Sequence, residues 1–229
     1  MASGLIADGA SATAARPGVN ELRIEENAPN PDDAQRILQS IRNAKQRADL
    51  VVVYQHNHVF DKPFDTMMRE RLPERLVHPD WLVKWTHAEV DAGADIIVMH
   101  GAPLLHGVEI YRDRPIFFDL GNFIFQTALA NVWEPIAWES VVAYVDFAGT
   151  TLKSIKFRPI VVEKIGQSQA DTRNTRTNNL RLQTSGLPRV ATGEQAYAIL
   201  QRLADLSRPF GTNVEINGEI AAVKLKAGN

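Results

Sequence analysis

Two short apolar runs, residues 50–54 and 96–99, constrain this fold more than any other feature of the sequence. Both are too short and too rich in β-branched residues for a helix, and both are apolar at every position. Such runs are typical of strands in the middle of a sheet that is covered on both faces. The sequence therefore predicts two buried strands in an α/β protein.

A helix pattern precedes each run. Asn30 before Pro31 is typical of a helix start, and apolar residues then recur at three- and four-residue spacing to about residue 47. Asp80 is predicted to cap a second helix, which Gly93 closes. These two helix–strand repeats make up the first half of the predicted fold.

The second half is predicted to be mostly antiparallel, with one helix that starts at a capping box formed by Thr192 and Gln195. Short turns separate three pairs of predicted strands: residues 108–111 and 115–119, residues 141–147 and 151–161, and residues 214–216 and 220–225.

Length and composition limit the possible functions. The 229 residues suit a domain at 31–229 after a poorly ordered arm at 1–30, and no signal peptide or membrane-spanning segment is visible, which favours a cytoplasmic protein. With 25 basic and 27 acidic side chains, the chain lacks the basic footprint of a nucleic-acid-binding protein. Because there is no cysteine, any metal ligands must be His, Asp, Glu or Asn.

Four of the six histidines, His56, His58, His100 and His106, follow the ends of the two apolar runs. The carboxyl ends of strands are where α/β sheets place their ligand sites. His56 and His58 are two residues apart, which places both imidazoles on one side of an extended chain. The sequence therefore predicts a metal or catalytic role for the group, although a single histidine at a strand end is often a hydrogen-bonded structural residue.

Asp119 and Asn122 lie between two apolar stretches, so their polar groups must find partners. Two interpretations stay open. Asp119 could orient a metal-bound histidine, with Asn122 beside it. Alternatively, the two side chains could cap a tight turn.

Several segments together resemble one protein family. They are residues 91–98, His100 and Gly101, and residues 107–111, 114–117 and 119–125, with residues 16–20 and 210–212 fitting the flanks. They are similar to the CapA family, which is named for production of the poly-γ-glutamate capsule.

The resemblance implies a metallophosphoesterase-like, four-layer α/β/β/α sandwich with divalent metal ions (Mn, Zn or Fe), two of them in a full-length form. His56 corresponds to the family's lone histidine and His100 to the first histidine of its final pair. Pro103 stands where the second histidine is usual, so His106 is expected to replace it. The family's earlier metal motifs have no counterpart before residue 50, so the chain is expected to be the C-terminal portion of a longer protein.

Three functions are compatible with this resemblance. The first is a metal-dependent hydrolase acting on an anionic polymer or peptide, in which a histidine transfers the proton. The second is a metal-dependent peptide epimerase that uses His100 or His58 as its base. The third is a non-catalytic remnant or assembly factor that binds a polyanionic or peptide partner.

An incomplete domain would have two physical consequences. Without the early carboxylates the chain is expected to bind metal weakly, since two dications need bridging carboxylates. An uncovered apolar sheet is also expected to cause self-association.

Overall fold

The computed structural model describes residues 20–60, 62, 66, 76–125, 133–163 and 186–225. The chain forms two compact units, one made of Met1–Met99 with Ile110–Ile116 and the other of His100–Glu109 with Phe117–Asn229. Helices and sheets are both present, so the α/β class predicted from the sequence is confirmed. No helix among the described residues is long and apolar enough to cross a lipid bilayer.

The first unit begins with a small antiparallel hairpin of strands β1 (Ile24–Glu25) and β2 (Ala28–Pro29). This hairpin falls within the predicted N-terminal arm, of which residues 1–19 lie outside the described part. Helix α1 (Pro31–Lys45) follows, and the Asn30 side chain accepts a hydrogen bond from the Asp33 amide at 3.1 Å. The predicted cap and start of this helix are confirmed.

Helix α2 (Asp80–Asp91) begins one residue earlier than predicted. Pro79 occupies the cap position, no side chain caps the helix, and Asp80 is its first residue. The prediction that Asp80 is the cap is therefore wrong, although its carboxylate still lies at the positive end of the helix dipole. Gly93 follows the helix with φ +119°, in keeping with its predicted place at the helix end.

A four-stranded sheet is built mostly from residues of the first unit. Its order is β3-β4-β6-β5, and its strands are β3 (Val52–Asn57), β4 (Ile96–Gly101), β5 (Val108–Tyr111) and β6 (Arg114–Phe117). Strand β4 is buried on one face, where Ile97 and Met99 are fully inaccessible, and half-buried on the other, so the predicted burial holds for one of its two faces. Strand β3 lies at the sheet edge, and Val52 and Tyr54 are 58% and 64% exposed. The prediction of a strand covered on both faces is wrong for residues 50–54. An apolar run does not reveal whether another element packs on each face of the strand, and here the face that carries Val52 and Tyr54 is exposed.

The Asp95 side chain connects the N-terminal ends of β3 and β4. Its carboxylate, 1% exposed, accepts hydrogen bonds from the Lys45 ammonium at 2.7 Å and the Val51 amide at 2.8 Å, and lies 3.2 Å from the Arg114 guanidinium. Two cations compensate for burying this negative charge. The Val51 carbonyl in turn accepts hydrogen bonds from the amides of Asp95 and Ile96. The two strands therefore begin side by side, at the same end of the sheet.

The second unit contains an antiparallel sheet of order β10-β11-β8-β7, with β9 paired to β8. Its strands are β7 (Glu139–Ala148), β8 (Thr151–Val162), β9 (Pro188–Val190), β10 (Val214–Asn217) and β11 (Ile220–Val223). The last two hairpins predicted from the sequence, β7–β8 and β10–β11, are confirmed.

Helix α3 (Gly193–Ser207) packs on one face of this sheet and buries Ile199, Leu200 and Leu203 completely. Thr192 stands at its N-cap but makes no side-chain cap bond, and the Gln195 side chain accepts a hydrogen bond from Arg189 instead. The predicted capping box is therefore wrong. The Glu219 carboxylate, 26 residues further along the chain, accepts a hydrogen bond from the Gly193 amide at 2.9 Å.

Candidate functional site

His56 and His58 lie at the end of strand β3 in the first unit. Both are exposed, and their ring centroids are 5.1 Å apart. The two-residue spacing on extended backbone brings the imidazoles to one side of the strand, as the sequence predicts. Their proposed roles as metal ligands, and that of His58 as a base, stay predictions.

Behind this histidine pair, the opposite face of β3 contacts a buried acid that the sequence interpretation missed. The Gln55 side chain donates a hydrogen bond to the Glu89 carboxyl at 2.5 Å and accepts one from the Trp85 indole at 3.3 Å. Glu89 is 1% exposed, and this burial raises its pKa to about 8, against a small opposing effect of Gln55. The helical spacing of Leu82, Trp85 and Glu89 was the available signal, since it places Glu89 on the apolar stripe.

In the second unit, two of the predicted histidines lie in residues 100–107, which comprise the last two residues of β4 and the loop that follows them; we call this segment the histidine loop. His100 is the half-buried fifth residue of β4, and His106 is 2% exposed. The loop ends at Gly107, where a Cβ atom would stand 2.2 Å from the Leu206 carbonyl oxygen. Only glycine permits this close approach to the end of helix α3. The next amide, that of Val108, donates to the Ser207 hydroxyl at 3.0 Å, which fixes the end of the loop.

Asp119 connects this histidine loop to the turn that follows β6. Its side chain accepts hydrogen bonds from the amides of Gly121, at 2.8 Å, and Ala102, and its own carbonyl accepts the His106 amide at 2.9 Å. The carboxyl is 2% exposed, and burial raises its pKa well above the ordinary value despite these two amides. Asp119 thus holds both segments in place from a buried position that disfavours its charged form.

Asn122 completes the turn. Its side-chain amide donates to the Ala137 carbonyl at 2.8 Å, and its own carbonyl accepts the Ser140 hydroxyl at 2.5 Å. Gly121 has φ +77° and would bring a Cβ within 2.7 Å of Ser140. These contacts match the turn-capping interpretation of Asp119 and Asn122. Their alternative role, orienting a metal-bound histidine, stays a prediction.

The described residues do not assemble the metal centre that the family resemblance implies. Among them, no three His, Asp or Glu side chains are grouped so that they could hold a metal ion. Protein metal sites of the expected kind use three or more such ligands.

Comparison with known proteins identifies the family. The model of the family described as "Bacterial capsule synthesis protein PGA_cap" matches residues 4–127. An uncharacterized protein of Sinorhizobium fredii (strain NBRC 101917 / NGR234), y4sH, is 29% identical over 241 residues, which cover 86% of this chain and 46% of that protein.

Two relatives carry functional names. The PGA biosynthesis protein CapA of Bacillus subtilis (strain 168) is 34% identical over 103 residues, covering 44% of this chain and 24% of that protein. The capsule biosynthesis protein CapA of Bacillus anthracis is 35% identical over 118 residues, covering 51% of this chain and 24% of that protein. The chain thus spans about half of the length of the Sinorhizobium relative and about a quarter of the two CapA proteins. Because the family model covers more than half of its residues, the chain belongs to the bacterial capsule synthesis family PGA_cap, as the resemblance predicted.

Proposed function

We propose that this chain is a CapA-like protein that hydrolyses an amide bond in an anionic capsule polymer of the poly-γ-glutamate type, or in a related peptide. The observation that carries this proposal is the histidine loop, residues 100–107, which buried Asp119 holds through the Ala102 amide. Catalytic groups need a fixed geometry, and a loop held from both ends by buried contacts provides one. The names of the two Bacillus relatives support the choice of polymer.

His100 is the proposed proton-transfer residue. It would take a proton from water as the water oxygen attacks the amide carbonyl carbon, and would return that proton to the leaving nitrogen as the carbon–nitrogen bond breaks. Imidazole suits this exchange because its ordinary pKa lies close to neutral pH. His58 is the second candidate for the same role. Asp119 acts only as a positioning residue that shapes the loop around His100.

No step is assigned to a metal ion, because the described residues do not group as a metal site. The Mn²⁺, Zn²⁺ or Fe²⁺ ions and the four-layer sandwich implied by the family resemblance stay predictions. The test therefore adds each of these ions separately to the purified chain.

The test is product analysis of a γ-glutamyl oligomer incubated with the purified chain, with each ion added singly and with a chelator. Hydrolysis gives two fragments whose summed mass exceeds that of the oligomer by one water. His100→Ala should abolish this reaction, and loss of the reaction in His58→Ala but not in His100→Ala would assign the role to His58 instead. His87→Phe, which keeps the ring stacked on Tyr111, is the matched control and should leave it unchanged.

The other outcomes reject hydrolysis in distinct ways. An oligomer of unchanged mass but altered D/L ratio would assign the epimerase activity. An oligomer that is unchanged under every ion condition would reject both activities, and the non-catalytic role would be the function that remains.

A further inference from the structure

The outer face of the second unit's sheet carries two cations that are surrounded by apolar side chains. Lys156 and Arg158 alternate along β8 with Phe157, which is fully buried. Successive side chains of a strand point to opposite faces, so the two cations lie on the face opposite Phe157. Tyr144 is directly opposite Lys156 on β7 and is 56% exposed.

A shallow groove of about 350 Å³ runs across this face. We call it the cationic sheet face and define it by the side chains that line it: Tyr144, Lys156, Arg158, Val190 and Ile220. Val190 and Ile220 are large apolar residues that stay 43% and 39% exposed beside the cations. The groove thus combines positive charge with exposed apolar surface.

Neither cation is neutralised by a neighbouring acid within the described part of the chain. Three acids of this sheet and its margin have other partners: Asp146 on β7 accepts the Ser154 hydroxyl, Glu215 on β10 pairs with Lys224 at 3.0 Å, and Glu163 after β8 lies 4.0 Å from Arg189. Lys156 and Arg158 form no ion pair with any described residue. Among the described residues, the positive charge of this face is thus left for an anion outside the chain.

We propose that the cationic sheet face binds a stretch of an extended, carboxylate-bearing glutamyl chain. The choice of a glutamyl ligand rests on the function proposed above, whereas the anionic character of the ligand rests on the charges of the face. Lys156 and Arg158 are two residues apart on a strand, about 7 Å along the sheet. A glutamyl chain presents carboxylates separated by methylene groups. Its carboxylates can pair with the two cations, and its methylene groups can pack on Tyr144 and Ile220.

A nucleic acid fits this face less well. Its binding depends on many phosphate contacts made by a broad basic surface. Among the described residues two cations line the groove, and the whole chain carries a net charge of -2. A polycarboxylate of modest charge density is the better match.

The binding test uses fluorescence anisotropy of a labelled γ-glutamyl oligomer that is long enough to span both cations. Lys156→Gln/Arg158→Gln should weaken binding by about 5- to 30-fold, the size expected for two exposed charge pairs. Arg42→Gln/Arg47→Gln removes the same charge from exposed positions of the first unit and should change binding little. Thermal melts confirm that both double variants are folded.

Three results would overturn the assignment: no binding by the natural sequence, equal weakening by both double variants, or single-stranded DNA that competes as well as the oligomer. This test is independent of the hydrolysis assay. At oligomer concentrations that saturate binding, Lys156→Gln/Arg158→Gln should cleave the oligomer at the natural rate, because the face contributes to binding and not to the chemical step. Loss of cleavage in His100→Ala with normal binding would separate a failure of the active site from a failure of the face.

Discussion

Three buried carboxyl groups differ in the kind of partner that each of them contacts. Asp95 is flanked by Lys45 and Arg114, which compensate a negative charge. Glu89 faces the neutral amide of Gln55, and Asp119 faces backbone amides, and the pKa of each is raised by burial. Neutral partners offset only part of the desolvation of a buried carboxyl group, so the net shift of its pKa stays upward. All three acids are 1–2% exposed, so partners and not burial separate them.

Glu89→Gln should flatten the dependence of stability on pH. The folded-state pKa of Glu89, about 8, is above its ordinary 4.5, so the folded protein keeps a proton that the unfolded chain loses. The stability from this group is complete at low pH and is lost as pH rises between these two values, by at most about 1.4 kcal/mol per pH unit. Urea unfolding at several pH values, for the natural sequence and the variant, measures the difference.

Glu194→Gln is the matched control, because Glu194 is exposed in the first turn of α3. The stability of the Glu194→Gln variant should equal that of the natural sequence at every pH. A Glu89→Gln curve parallel to the natural one would show that Glu89 is ionised in the folded state.

At the scale of elements, local chemistry was predictable and long-range neighbours were not. Asn30 caps α1 through an amide three residues away, and the predicted β10–β11 hairpin depends on a short turn, so both could be recognised from a few adjacent residues. The cap of α3 is Glu219, 26 residues from Gly193, and no local pattern indicates it.

The candidate site follows the same division. The spacing of His56 and His58 was enough to predict that their rings lie on one side of the chain. The bonds from Ala102 to Asp119 and from Gln55 to Glu89 join segments that are distant in sequence. The turn formed by Asp119 and Asn122 was foreseen only as one of two alternatives, since its partners Ala137 and Ser140 lie in a later segment.

Gly107→Ala should destabilise the second unit by about 3 kcal/mol or more, since the new methyl group would overlap the Leu206 carbonyl and backbone cannot move aside cheaply. Gly149→Ala is the control: Gly149 has φ +59° but nothing within 4 Å, so only backbone strain of about 1 kcal/mol is expected. Urea unfolding compares the two. Equal losses would mean that the loop does not pack closely against the end of α3.

Strand β3 is the expected site of self-association, because an edge strand with exposed apolar residues can pair with a second copy. Val52→Lys/Tyr54→Lys should shift the sedimentation of the purified chain at micromolar concentration from associated to monomeric. Tyr197→Lys replaces a tyrosine of similar exposure on helix α3 and should leave association unchanged. A natural sequence that sediments as a monomer would rule out this interface.

At the scale of the whole molecule, the chain is a capsule synthesis family member in which each compact unit carries its own part of the predicted histidine set. His56 and His58 belong to the first unit, and His100 and His106 to the second. The second unit also contains Asp119, Gly107 and the cationic sheet face. The proposed chemistry and the proposed binding surface can therefore both be tested by substitutions in this unit.

The central claim is that Asp119 positions the histidine loop for cleavage of a glutamyl amide bond, and the initial rate of γ-glutamyl oligomer cleavage tests it most directly. Asp119→Asn keeps one side-chain oxygen that can accept a backbone amide such as that of Gly121, so it should retain more of the natural rate than Asp119→Ala. Asp119→Ala leaves both amides without this acceptor and should lower the rate at least about tenfold in kcat, because a small misplacement of a catalytic group is enough for such a loss. A folded Asp119→Ala protein that cleaves the oligomer at the natural rate would contradict the account.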